Sequence, residues 1–71
     1  MDETSSRERI GLSIKSVRQR KGLTQEQLAE LSGITRSTIS KIEAGKFNAS
    51  IDLLEKLIKP LGAELDIKEV D

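Results

Sequence analysis

Residues 24–45 read TQEQLAELSGITRSTISKIEAG, and the signals within them describe two short helices joined by a tight turn. Thr24 and Gln27 make a capping pair in which each side chain can reach the other residue's backbone N–H, so a helix starts there. Leu28 and Leu31, spaced i and i+3, supply one apolar stripe, and Ala29 beside them is small enough to admit a neighbouring helix. Gly33 stops that helix, because glycine takes the left-handed conformation beyond a helix end without a Cβ penalty. Thr35 restarts the chain as an N-cap, and Gly45 supplies the second stop. The expected helices cover about 25–32 and 36–44.

Turned at about 100° per residue, the later helix sends Ile39 and Ile42 to one side and Ser37, Lys41 and Ala44 to the other, with Arg36 and Ser40 flanking the outer set. That outer face has no large apolar residue and no acid. Ser, Thr and Ile crowd the segment, so its own helix propensity is poor and packing must hold it. An isolated helix of this composition reads as an ordinary solvated surface. Beside a tight helix-to-helix turn it reads as a helix shaped for the DNA major groove, where Arg or Lys meets guanine and Ser or Thr takes either partner.

The stretch from Leu23 to Gly45 resembles the helix-turn-helix of the Cro/cI (XRE) family of phage and bacterial repressors. The matching residues are Gly22-Leu23-Thr24-Gln25, Leu28-Ala29, Gly33, and Ile39 through Ile42-Glu43 to Gly45-Lys46. With flanking helices the likeness covers about residues 9–62. It implies an all-α, lambda-repressor-like bundle of four to five helices that binds double-stranded operator DNA as a homodimer. On that reading Thr24 and Gln25 hold a phosphate at a helix N-terminus. Arg36, Ser37, Ser40 and Lys41 face base edges, and Thr35 meets a thymine methyl. The family's loop after the helix that ends at Gly45 touches phosphate, which makes Lys46 and Asn48 the candidates here; Ala49 stands where the family often has proline. The resemblance further implies a pair between Arg18 and Glu43 that ties the first helix to the end of the recognition helix. Both residues flank apolar stripes, where solvated charges worth little to stability also sit.

Outside this unit, Ser5 and Glu8 repeat the capping signature, and the first helix runs to about Lys21 with Ile10, Ile14 and Val17 as its stripe and Gly22 as its stop. Residues 1–4 are expected to be disordered. Ser50 caps a last helix whose stripe is Ile51, Leu54, Leu57, Ile58 and Leu61, and Pro60 ends or kinks it near Lys59. Phe47, the single aromatic, packs into the core rather than stacking on a base, since one ring makes no platform. Residues 5–62 thus form the DNA-binding domain.

The period then changes. Ala63, Leu65 and Ile67 alternate with Glu64, Asp66 and Lys68, which predicts a short strand within 63–71. A lone strand leaves its backbone unpaired, so its partner is expected from a second chain, with Ala63, Leu65 and Ile67 at the dimer interface. This ending is similar to HipB-type antitoxins, whose tail forms a two-stranded sheet across the dimer axis.

Composition bounds the remaining possibilities. Seventy-one residues make one domain. With hydrophobic content of 35% the core is small and aliphatic, and association with a second copy is a natural source of added stability. The absence of Cys and His removes disulfides, thiolate and imidazole metal sites, cysteine nucleophiles and the usual general base. No catalytic residue, metal, cofactor or small-molecule substrate is expected. A polar N-terminus and the lack of any apolar run near a membrane's thickness argue for a cytoplasmic protein. The net charge is zero, from 12 basic and 12 acidic residues, but Lys15, Arg18, Arg20 and Lys21 lie in a segment without acids while Asp2, Glu3, Glu64, Asp66, Glu69 and Asp71 crowd the ends. That asymmetry suits one DNA face and another turned elsewhere. Two functions fit: a sequence-specific repressor on a palindromic operator, and an antitoxin that silences a toxin partner and autoregulates its operon.

Overall fold

The computed structural model describes residues 5–70; the expectation for 1–4, and position 71 of the expected strand, lie outside them. Four α-helices follow in order: α1 (Ser6–Arg20), α2 (Gln25–Ser32), α3 (Arg36–Glu43) and α4 (Ile51–Ile58), the last running into a 3₁₀ turn at Lys59–Leu61. Each α-helix opens on a side-chain cap. The Ser5 hydroxyl accepts from Glu8 N–H and that of Thr24 from Gln27 N–H, both completing reciprocal boxes, while Thr35 and Ser50 accept from Thr38 and Leu53. These caps satisfy N–H groups that the first turn leaves without partners.

The turn between α2 and α3 depends on Gly33, whose φ of 76° is left-handed and whose N–H returns to Ala29 O at 2.9 Å. Ser32, buried there, accepts from Ile34 N–H at 3.2 Å, so a short polar side chain satisfies the backbone inside the turn. Helices α1 and α2 pack on α3, and α4 with its 3₁₀ extension packs on α2. The core is aliphatic: Ile14, Leu28, Ile34, Ile39, Ile42, Leu54, Leu57, Ile58 and Leu61. Phe47 and Ala49 close the loop after α3 against it.

Three expectations need correction. Helical spacing puts Leu31 and Ile51 on buried stripes, yet they are 59% and 68% exposed. Leu28 alone in α2 reaches the centre, because α4 and the 3₁₀ turn cover only part of the face that helical spacing defines. The expected strand is not formed over 63–70, and the described residues contain no strand. Ala63 N–H bonds Ile58 O at 3.3 Å; beyond it the tail has no neighbour to complete a ladder, and Ile67 is 93% exposed.

A feature absent from the reading of α1 sets its distance from α3. A Cβ built on Gly11 would lie 2.4 Å from Ile42 O and 2.6 Å from Glu43 O. Glycine in mid-helix costs about 1 kcal/mol of propensity relative to alanine, and here it lets the two backbones touch.

Candidate nucleic-acid interface

Helix α3 is held from behind and open in front. Ile39 and Ile42 are fully or nearly buried, at 0% and 3% exposure, whereas Arg36, Ser37, Ser40 and Lys41 are exposed and line one shallow depression. Thr35 is also exposed, but its hydroxyl is engaged at the helix start, accepting from Thr38 N–H at 3.2 Å and donating to the Thr38 hydroxyl at 3.0 Å. Its methyl group, expected at a thymine, takes no part in these bonds.

The register of α3 is set by a buried polar junction. Arg18 Nε donates to Glu43 Oε2 at 2.7 Å and Arg18 Nη2 to Glu43 Oε1 at 3.0 Å, a bidentate pair. Arg18 Nη1 donates to Leu23 O at 2.8 Å, and Gln25 Nε2 donates to Glu43 Oε1 at 3.0 Å. One carboxylate at the end of α3 therefore receives N–H groups from both α1 and α2. Among the described residues no buried side-chain polar atom lacks a partner. The hydrogen bond to Glu43 raises the Arg18 pKa above its ordinary value, burial opposes this, and the charge of Glu43 adds to the rise.

Gln25, expected at a phosphate, also takes part in this junction. It is half-buried and spends one amide N–H on Glu43, leaving the second available at the surface. Nothing in the local pattern announces this bond, which joins residues eighteen positions apart. Thr24, Lys46 and Asn48 are exposed, with the Thr24 hydroxyl serving as the α2 cap. After α3 the chain turns sharply, Lys46 N–H bonding Lys41 O at 2.9 Å and Gly45 N–H bonding Ile42 O at 3.0 Å, so Lys46 emerges beside the end of α3. An acid from α2 stands at the same surface: Glu26 Oε1 lies 3.9 Å from Arg36 Nε. The outer face of α3 has no acid of its own, and this one comes from α2.

Ala63, Leu65 and Ile67, the residues expected at a dimer interface, are separate from this face. Ala63 and Leu65 border a groove shared with Ile10, Ile14, Val17 and Leu61, and Ile67 projects outward. Among the described residues, no group of three or more His, Cys, Asp or Glu could hold a metal ion, and no helix is long and apolar enough to cross a membrane.

A helix-turn-helix family model matches residues 14–68. Curated proteins yield no match. Among solved structures, the chain is similar to the clp gene regulator ClgR from Corynebacterium glutamicum at 34% identity, covering 90% of this chain and 82% of that one with a TM-score of 0.85. A second ClgR structure gives 35% identity, coverage of 89% and 67%, and a TM-score of 0.82. A hypothetical transcription factor from Neisseria, NHTF, follows at 31% identity, coverage of 87% and 71%, and a TM-score of 0.79. The family match over most of the chain agrees with the capped α2, the glycine turn and the packed, outward-facing α3, and the chain belongs to the XRE-type helix-turn-helix family of DNA-binding proteins.

Proposed function

We propose that this chain is a sequence-specific transcriptional regulator of repressor type that binds a palindromic operator as a homodimer. The observation that carries this is α3 itself, with its apolar side sealed against the core and Arg36, Ser37, Ser40 and Lys41 gathered on its open side. Arg36, Ser37, Ser40 and Lys41 read base edges in the major groove and Thr35 contacts a thymine methyl. Thr24, Gln25, Lys46 and Asn48 meet phosphates around it and fix the docking register. Support for regulation comes from the solved relatives, which are described as a gene regulator and a hypothetical transcription factor.

Dimerisation uses residues 63–71 beyond the DNA-binding domain of 5–62. Leu65, Ile67 and Val70 are exposed apolar residues, and two tails meeting antiparallel at a two-fold axis cover them while pairing their backbones. The same exposed tail also favours a second reading, an antitoxin whose tail or outer helices engage a toxin. The neighbouring reading frame separates the two, since a toxin gene there supports the antitoxin role.

The test of the main reading is selection of duplexes from a random-sequence library by the full-length chain, followed by binding measurements at several salt concentrations. Enrichment of an inverted repeat whose half-sites are about one helical turn apart, about 34 Å, is the expected result. Salt-sensitive binding without enrichment would reduce the protein to a non-specific binder.

A further inference from the structure

Resting on the DNA-reading role above, we propose that Glu26 is a specificity-determining residue that positions Arg36 on a guanine. The two side chains come from different helices, Glu26 in the first turn of α2 and Arg36 at the first position of α3, with Arg36 Nε 3.9 Å from Glu26 Oε1. They are 64% (Arg36) and 71% (Glu26) exposed, so the contact adds little to folding stability. An acid beside Arg36, Ser37, Ser40 and Lys41 also works against phosphate attraction.

Its position supplies a use. A guanidinium has two hydrogen-bonding edges, and the carboxylate stands at the Nε edge. The opposite edge, made of the two terminal nitrogens, remains open and matches the N7 and O6 acceptors of guanine in the major groove. The charge of the carboxylate biases the guanidinium toward that orientation before DNA arrives, which lessens part of the ordering cost of a long side chain, and exclusion of water by the duplex strengthens the ion pair. The same carboxylate repels phosphate, so docking registers that leave Arg36 off its guanine are penalised. Glu26 therefore lowers general affinity and raises discrimination, a repulsive element serving specificity.

The experiment uses the full chain, Glu26→Gln, Arg36→Ala and the double variant. Each is titrated by fluorescence anisotropy against the duplex that wild type enriches from a random library, against versions with each G·C pair replaced by A·T, and against an unrelated duplex. Arg36→Ala is expected to lose preference at one guanine per half-site. Glu26→Gln should lower preference at that same guanine by roughly five- to tenfold while binding the unrelated duplex as well as or better than wild type. Added to Arg36→Ala, it should change nothing at that position. The proposal is overturned if Glu26→Gln keeps full preference there, if Arg36→Ala has no positional effect, or if Glu26→Gln weakens all duplexes equally. A wild-type chain that enriches no sequence overturns the DNA-reading role itself, which separates the two failures.

Discussion

Replacing Glu43 by alanine probes the junction that orients α3. Its carboxylate accepts three N–H groups at 2.7, 3.0 and 3.0 Å, and the side chains of Arg18 and Glu43 are only 9% and 3% exposed. In Glu43→Ala the guanidinium keeps Leu23 O but has no counter-ion, and breaking one half of a buried pair costs about 3–5 kcal/mol. A chain of 71 residues, at about 0.05–0.15 kcal/mol per residue, has roughly 4–11 kcal/mol in all, so this one change removes a large share of it. Arg18→Ala leaves Glu43 buried with only Gln25 and should cost a similar amount. The pair Arg18→Met with Glu43→Leu removes both charges, lets the half-buried Gln25 amide turn to water, and should cost less than the sum of Arg18→Met and Glu43→Leu measured alone. With no Trp or Tyr in the chain, urea unfolding followed by far-ultraviolet circular dichroism is the assay. At about 1 kcal/mol per molar urea, either alanine variant should lose roughly 3 M in midpoint or unfold partly in water. Losses that add within about 0.5 kcal/mol across the double-mutant cycle would show that the two residues do not act as a pair.

Gly11→Ala tests the close approach of α1 to α3: the methyl has no room beside Ile42 O and Glu43 O, so a loss of about 1–3 kcal/mol is expected despite the better helix propensity, and a stabilised variant in urea unfolding would contradict it. Gln25→Ala should lower stability by about 1 kcal/mol and weaken binding to every duplex alike, measured by the same melts and by anisotropy; a change of base preference would contradict the phosphate role. Lys41→Ala should cost about 1–3 kcal/mol on the selected site and relax preference at one base pair, whereas equal losses on unrelated duplexes would move Lys41 to the phosphates. Deleting 63–71 should yield a mainly monomeric protein with far weaker binding to an inverted repeat; sedimentation at equal micromolar concentration decides, and an unchanged dimer would assign the interface to the helices. The raised pKa of Arg18 contributes stability that is fully present below its unfolded value and lost only as pH rises through the folded one, so Arg18 should add no pH dependence near neutrality. A melt that loses stability on mild alkalinisation in wild type but not in Arg18→Met with Glu43→Leu would contradict this.

Local signals carried most of the helical layout. The caps at Ser5, Thr24, Thr35 and Ser50 and the turn at Gly33 involve residues two to four apart, and such interactions are written in the chain. Periodicity tells which side of α2 and α4 is apolar but not how far neighbours extend over it, which is why Leu31 and Ile51 lie exposed on apolar stripes. The role of Gly11 depends on carbonyls more than thirty residues away, and the Gln25–Glu43 bond joins two helices; neither leaves a local trace. The contact of Glu26 with Arg36 escaped because a single helix wheel cannot display a neighbour's side chains. The alternation within 63–71 is plain, yet a strand exists only with a pairing partner, and the described residues supply none.

The claim that α3 reads the major groove through Arg36 is tested most directly by guanine methylation interference on the duplex that wild type selects. Methylation at guanine N7 occupies the acceptor that a bidentate arginine needs. Wild type should be blocked at one or more symmetrically placed guanines in each half-site, and Arg36→Ala, with its circular dichroism unchanged, should become indifferent to methylation at one of them. Interference absent from every guanine N7, or identical in wild type and Arg36→Ala, would contradict the account.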